Sequence, residues 1–180
     1  MKYDFSASMP QYSASYKLKR FVFTFILWPI FKYIPFRIGS RARQYLLRFF
    51  GAHIARSGLI STGCTISVPW NLNISDRVMI GSGVKLLNLA PIHINSGSVI
   101  SHNSCLCTGT HDYKSKNFDL VTKQITIGKN CWICSFVFLA PGVTIADDNI
   151  IGACSVVTND TKTSSLNAGN PCKFIKNLTN

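Results

Sequence analysis

The chain has 180 residues, 47% of them hydrophobic, which suffices for one domain with its own core and excludes a disordered polymer. Its seven acids are all Asp, and a Glu-free, Asn-rich chain leans away from a helical bundle. The net charge of +12 is concentrated at the start: residues 1–50 carry nine Lys and Arg against Asp4, which suits an anionic surface, while no helix-turn-helix, zinc-finger or RNA-recognition pattern points to nucleic acid.

In chain order, the first marked element is the apolar run Phe21–Phe31, preceded by Lys17, Lys19 and Arg20. It is too short to span a bilayer, no small-residue cleavage site follows, and Pro29 interrupts it. It predicts a buried or interfacial helix. Residues 41–50 predict an amphipathic helix with Leu46, Leu47 and Phe50 on one side, stopped by Gly51. Residues 1–50 therefore form a basic, apolar helical cap.

From Gly51 the pattern changes. Ile54, Ile60 and Ile66 stand six apart, as do Ile74, Ile80 and Leu86, and then Ile94, Ile100 and Leu106. Register slips of two residues separate these sets, near Pro69-Trp70 and across Asn88 to Pro91. Ile127, Ile133, Leu139, Ile145, Ile151 and Val157 then follow without a miss, most trailed four residues later by a smaller side chain such as Cys131, Val137, Val143, Asn149 or Ser155. A strand has period two and a helix 3.6, so a period of six means a short strand plus a corner, repeated. Three units close a triangular coil, and coils stack about 4.8 Å apart with their aliphatics in columns. Residues 51–165 predict an all-β domain of about five coils, followed by a C-terminal tail over 166–180.

The rhythm breaks between Leu106 and Ile127, leaving a protruding loop near 107–125. A loop of this length in a compact repeat is usually functional. At its root stands Thr108-Gly109-Thr110-His111-Asp112. A histidine held beside a rigid strand yet open to solvent can take a proton from an attacking hydroxyl near neutral pH. Cys105 and Cys107 lie close in sequence and offer a nucleophile as an alternative. The seven cysteines, odd in number and without a secretory signal, suit a reducing compartment and free thiols; Cys131-Trp132-Ile133-Cys134 lacks the second pair a zinc site needs.

The stretches FGAHI at 50–54, PWNLNI at 69–74, LCTGTHD at 106–112, PGVTIADDNIIGACSVVTND at 141–160 and AGNPCKFI at 168–175 resemble the hexapeptide-repeat acetyltransferases. The nearest branch is the colanic acid biosynthesis acetyltransferases, with the maltose, galactoside and nodulation enzymes as broader relatives. The resemblance implies a left-handed parallel β-helix, a homotrimer with active sites between subunits, and acetyl-CoA as donor without a metal. It makes His111 the general base and Asp112 a substrate contact. It places Trp132 and Ser135 near the cofactor, Ala153 and Thr158 along the pantetheine path, and Lys173 and Lys176 near the nucleotide phosphates. It implies O-acetylation of a sugar hydroxyl in exopolysaccharide, capsule or lipopolysaccharide synthesis, in the cytoplasm or at the cytoplasmic face of the inner membrane. A small non-sugar acceptor and an inactive scaffold of the same fold are the alternatives. Some proteins of this fold bind zinc through three histidines, but His93, His102 and His111 are nine apart and lack the close pair such a site uses. Three departures from the family pattern stand out. Asn159 replaces the usual lysine of TKD, and Ala146 and Cys154 replace glycines, which predicts local changes at those turns.

Overall fold

The computed structural model describes residues 12–178; the start of the basic cap, residues 1–11, lies outside them. Helix α1 (Ala14–Phe21) is capped by Ser13, whose hydroxyl accepts from the Tyr16 N–H at 3.3 Å. The chain then runs through a π-helical segment (Val22–Leu27) into α2 (Trp28–Lys32). The segment is helical as the sequence predicts, and the helix widens ahead of Pro29. The ring would crowd the carbonyl four residues back, and the Trp28 N–H bonds Phe23 five residues back. The segment is half interior. Phe23 and Trp28 are buried, Phe23 packs against Phe50, and the Trp28 indole donates to the Cys64 carbonyl at 3.0 Å, while Phe21, Phe25, Ile26 and Ile30 remain exposed.

Helix α3 (Phe36–Phe49) lays Leu46 and Leu47 onto the first coil, with Phe50 buried beside them. It ends as the sequence predicts. Gly51 is left-handed at φ 94, its N–H bonds the Arg48 carbonyl and that of Ala52 bonds Leu47, a Schellman closure. The same face carries a buried cation. Arg43, 1% exposed, donates to the carbonyls of Ile60, Phe31 and Ile34 at 2.8–3.1 Å and so ties the helices to the open end of the solenoid.

Five triangular coils follow. Their strands are β1 (His53–Ile54), β2 (Gly58–Ile60) and β3 (Thr65–Ile66); β4 (Leu72–Ile74), β5 (Val78–Ile80) and β6 (Lys85–Leu87); β7 (Ile92–Ile94), β8 (Val99–Ile100) and β9 (Cys105–Cys107). After a hairpin of β10 (Gly109–His111) and β11 (Leu120–Thr122) come β12 (Ile125–Ile127), β13 (Trp132–Ile133) and β14 (Phe138–Leu139), then β15 (Thr144–Ile145), β16 (Ile150–Ile151) and β17 (Val156–Val157). The first strands of the coils pair in parallel as face A, the second as face B and the third as face C. β18 (Ser165–Ala168) begins a sixth turn on face B, and β19 (Lys173–Asn177) folds back antiparallel and covers that edge.

Register partners place the repeated aliphatics in columns: Ile54, Ile74, Ile94, Ile127 and Ile145 on face A, and Ile60, Ile80, Ile100, Ile133 and Ile151 on face B. The slips read in the sequence are extra residues at one corner, between face C and the next coil's face A: a 3-10 turn at Pro69–Asn71 and the loop at 88–91. Buried Asn88 satisfies that corner, accepting from the N–H groups of Ser67 and Val68 and donating to the Val68 carbonyl. Asn149, a small position in the repeat, is likewise fully bonded inside: it donates to Ala146, Asp147 and Lys162 carbonyls and accepts from Ser165 and Asn167.

Both residues that stand where the family has glycine are accommodated at their turns. Ala146 is not left-handed, so its methyl meets no backbone objection. Cys154 keeps the left-handed conformation at φ 59, and its N–H still bonds the Ser135 carbonyl one coil below at 3.0 Å. The stacking of corners over-determines the backbone and holds the strained residue.

Candidate active site

The loop at the repeat break is an antiparallel hairpin rooted in the solenoid. Buried Thr108 anchors it: its hydroxyl donates to the Leu87 carbonyl and accepts from the Ala90 N–H, and its carbonyl accepts from the Lys123 N–H at 2.8 Å. Register then pairs Gly109 with Thr122 and His111 with Leu120. A Cβ at Gly109 would lie 3.1 Å from the end of the Leu89 side chain, a contact that a small shift of that leucine relieves. The hairpin carries His111 away from the core, exposed, at the corner where face C ends.

His111 is nonetheless fixed. Its Nδ1 lies 2.7 Å from the Phe118 carbonyl oxygen, and its ring stacks on the Phe118 ring at 4.4 Å with planes 5° apart. A carbonyl can only accept, so the proton sits on Nδ1 and the neutral imidazole keeps its lone pair on Nε2. Phe118 takes a left-handed φ of 52 to offer carbonyl and ring to the same partner, and its N–H bonds the Ser115 carbonyl at 3.1 Å. Nothing in residue type marks Phe118, and the sequence reading missed it.

Asp112 follows directly but is committed to the hairpin tip. Its Oδ1 accepts from the Lys114 N–H at 2.9 Å, and its own N–H bonds the Asp119 carbonyl. Ser115 donates to the Asp119 carboxylate, closing the tip.

The other candidates lie elsewhere on the chain. Trp132 projects from face B, half exposed, with its indole N–H donating to Ser101 Oγ at 3.0 Å. Ser101 was not singled out in the sequence, since the hairpin insertion hides that it lies one coil below. Ser135 and Ala153 stack on consecutive coils at the corner between faces B and C, in a file that runs Thr62, Ser82, His102, Ser135, Ala153. Lys173 pairs with Ala168, which packs on Gly152 beside Ala153, so it belongs to the same corner. Lys176 pairs with Leu166 at the opposite end of β19, and Thr158 follows β17 at the next corner, its hydroxyl accepting from Asn159. Within one chain, Trp132, Ser135, Ala153, Lys173 and Lys176 are gathered around face B and its corner with C, Lys176 in register with Trp132 through Leu166 and Ile150, and His111 and Thr158 stand apart from them.

The Cys105 thiol, close to His111 in sequence, is not activated. Burial pushes Cys105 up, with Cys107 adding to the shift, and the Cys107 thiol donates to the Gly109 carbonyl at 3.2 Å. His93 projects from face A, His102 sits at the corner between faces B and C, and His111 is on the hairpin. Among the described residues no three His, Cys or Asp side chains converge as a metal-ligand group.

Residues 124–159 match the family model described as bacterial transferase hexapeptide (six repeats). The chain is 40% identical over 147 residues to the protein named "Putative colanic acid biosynthesis acetyltransferase WcaF" of Escherichia coli (strain K12), covering 82% of this chain and 80% of that one. The chain belongs to the hexapeptide-repeat acetyltransferase family. It is also 35% identical over 126 residues to the galactoside O-acetyltransferase of the same organism, across 70% of this chain and 54% of that protein. A hexapeptide-repeat acetyltransferase of Vibrio cholerae O1 biovar eltor, solved with acetyl coenzyme A, shares the fold with a TM-score of 0.84 at 23% identity, over 93% of this chain and 91% of that one. The all-β helical fold expected from the repeat is therefore that of a hexapeptide-repeat acetyltransferase, related to sugar O-acetyltransferases, with the helical cap added at its first coil.

Proposed function

We propose that this acetyltransferase moves an acetyl group from acetyl-CoA to a sugar hydroxyl, with His111 as general base. The observation that carries the reading is the Phe118 carbonyl 2.7 Å from Nδ1, which leaves the exposed Nε2 as a proton acceptor. In a ternary complex Nε2 takes the hydroxyl proton as that oxygen attacks the thioester carbonyl. The oxyanion collapses, the carbon–sulfur bond breaks, and the protonated imidazole returns the proton to the departing thiolate. No covalent enzyme intermediate is needed. Trp132, Ser135, Ala153 and Lys173 would hold the donor along face B and its corner with C, with Thr158 and Lys176 further along it and Asp112 supporting the acceptor end.

The separation of His111 from those donor residues within one chain favours a homotrimer whose sites lie between subunits. A column of apolar residues pointing outward on face B beyond the first two coils supports it: Val99, Trp132, Ile150 and Leu166 are register partners, and Trp132 is about half exposed. Such a column is what a neighbouring copy would cover. The acceptor is proposed as a saccharide unit of exopolysaccharide, capsule or lipopolysaccharide, by relation to the colanic acid protein. No helix among the described residues is long and apolar enough to cross a membrane. The cap's exposed Phe21, Phe25, Ile30 and Phe36, beside Lys17, Lys19 and Arg20, suit peripheral contact with the cytoplasmic face of the inner membrane, and the protein is proposed to work in the cytoplasm or there.

A mass-spectrometric screen of sugar acceptors with acetyl-CoA tests this, with His111→Ala alongside. A sugar ester formed by the wild type and lost in the variant supports the reading. Equal turnover by both, on every acceptor, would sink it.

A further inference from the structure

The seam between α3 and the first two coils holds a cavity of about 430 Å³, within the range of small-molecule sites. Four guanidinium-bearing residues line it: Arg37 and Arg41 from α3, Arg56 from the turn after β1, and Arg77 from the turn before β5. Leu59 and Met79 supply an apolar wall. No carboxylate is in the lining. The acid next in sequence, Asp76, is engaged by the Ser57 hydroxyl at 2.7 Å. Arg43 and Arg48, on the same helix, spend their guanidinium groups on backbone carbonyls. Among the described residues, no hydrogen bond or ion pair engages the side chains of the four cavity arginines.

This arrangement is unfavourable by itself. Arg37 and Arg41 are four apart on one helix, so they repel, and both lie in its first half, where the dipole disfavours cations. Arg56 and Arg77, from different corners, bring two more positive charges to the same space. A second copy of the chain is poorly equipped to neutralise them, since it offers only seven acids in all. Planar guanidinium forks around a concavity match the oxygens of phosphate groups, which they bind in pairs. The volume leaves room for more than a single phosphate. We infer that this cavity binds a phosphate-bearing ligand, a diphosphate or a phosphodiester headgroup, whose anion offsets the four arginines. The site stands on the opposite end of the solenoid from β18 and β19, and the inference does not rest on the acetyl-transfer reading.

The test uses the full chain with two probes at low salt: inorganic pyrophosphate by titration calorimetry, and sedimentation with phosphatidylcholine vesicles with or without phosphatidylglycerol. Arg41→Gln/Arg77→Gln should weaken binding by about tenfold or more, since it removes two charge-assisted contacts. Arg37→Gln/Arg56→Gln, an independent pair, should do the same, and Lys129→Gln/Lys162→Gln, which removes equal charge elsewhere, should not. Loss confined to pyrophosphate identifies a soluble phosphate ligand, and loss confined to anionic vesicles identifies a lipid headgroup; either supports the site. If the wild type binds neither probe, or if all three double variants bind like the wild type, the site does not exist.

Discussion

The rings of His111 and Phe118 lie parallel, 4.4 Å between centroids, while Nδ1 reaches the carbonyl of that same phenylalanine at 2.7 Å. One residue thus sets both the tautomer of the imidazole and the plane in which Nε2 points. The two influences are separable by mutation. His111→Ala should lower kcat by about 10²–10⁴-fold, the usual contribution of a general base, with much less effect on the KM of either substrate. Phe118→Ala keeps the carbonyl and loses the stack, so a smaller fall of about tenfold is expected, in kcat again. Steady-state kinetics on the best acceptor from the sugar screen decides it. A change confined to KM in both variants would mean that the pair only binds substrate.

Lys173 and Lys176 are three residues apart, but β19 places them at opposite ends of its pairing with β18. Lys173 lies level with Ala168, against Gly152 and the corner that carries Ser135 and Ala153, whereas Lys176 lies level with Leu166. A phosphate-bearing donor running along that corner meets Lys173 first. Lys173→Gln should raise the KM for acetyl-CoA by about tenfold, the worth of one charge-assisted phosphate contact, and Lys176→Gln by less than about threefold. Equal effects would show that position along β19 does not matter to donor binding.

The solenoid was legible because its signal is redundant. Each inward Ile, Leu or Val repeats the information of its neighbour one coil away, so slips at 69–71 and 88–91 disturb the register without hiding the period. The site was legible only in part. His111 declares itself by residue type and by standing where the period stops. Its partner does not, because Phe118 reaches it through a left-handed φ that its side chain disfavours, across a turn whose shape depends on Asp112, Ser115 and Asp119 together. The four cavity arginines are scattered from Arg37 to Arg77, and only the stacking of the first two coils beneath α3 makes them neighbours. Reading α3 by its apolar positions found Leu46, Leu47 and Phe50. It passed over Arg43, one turn before Leu47 on the same buried face, since a guanidinium is expected outside.

Arg43 is accordingly a place where a conservative-looking change should be costly. Burial lowers its pKa, and it stays charged because several carbonyls surround it. Arg43→Met fills much of the volume but leaves the Ile60, Phe31 and Ile34 carbonyls without that donor. A loss of about 3 kcal/mol or more is expected, read by chemical denaturation, with α1–α3 loosening from the first coil before the rest unfolds. Hydrogen exchange should report the loosening as lost protection over residues 36–60. A single transition with wild-type midpoint would show that the guanidinium is dispensable.

Cys64 sets a pH limit on the same junction. The thiol is fully buried beneath the helices, beside the carbonyl that the Trp28 indole uses, and burial pushes its pKa up to about 11 from an ordinary value of 9.0. Unfolding exposes the group and lets it ionise at the lower value. Below pH 9 the thiol is neutral in both states and contributes nothing to pH dependence. Between 9 and about 11 the unfolded chain releases a proton that the folded chain retains, so stability falls as pH rises, by about 2–3 kcal/mol once the window is passed. Burial raises the Cys105, Cys131, Cys134 and Cys172 thiols as well, so the whole chain should weaken in alkali, and Cys64→Ala isolates one share of that loss. The variant should start less stable at pH 8, because a small buried group is lost, and then decline more gently than the wild type towards pH 11. Denaturant midpoints measured at intervals across that range give the two slopes. Parallel slopes would mean that Cys64 ionises as easily folded as unfolded, and that the junction under the helices admits water.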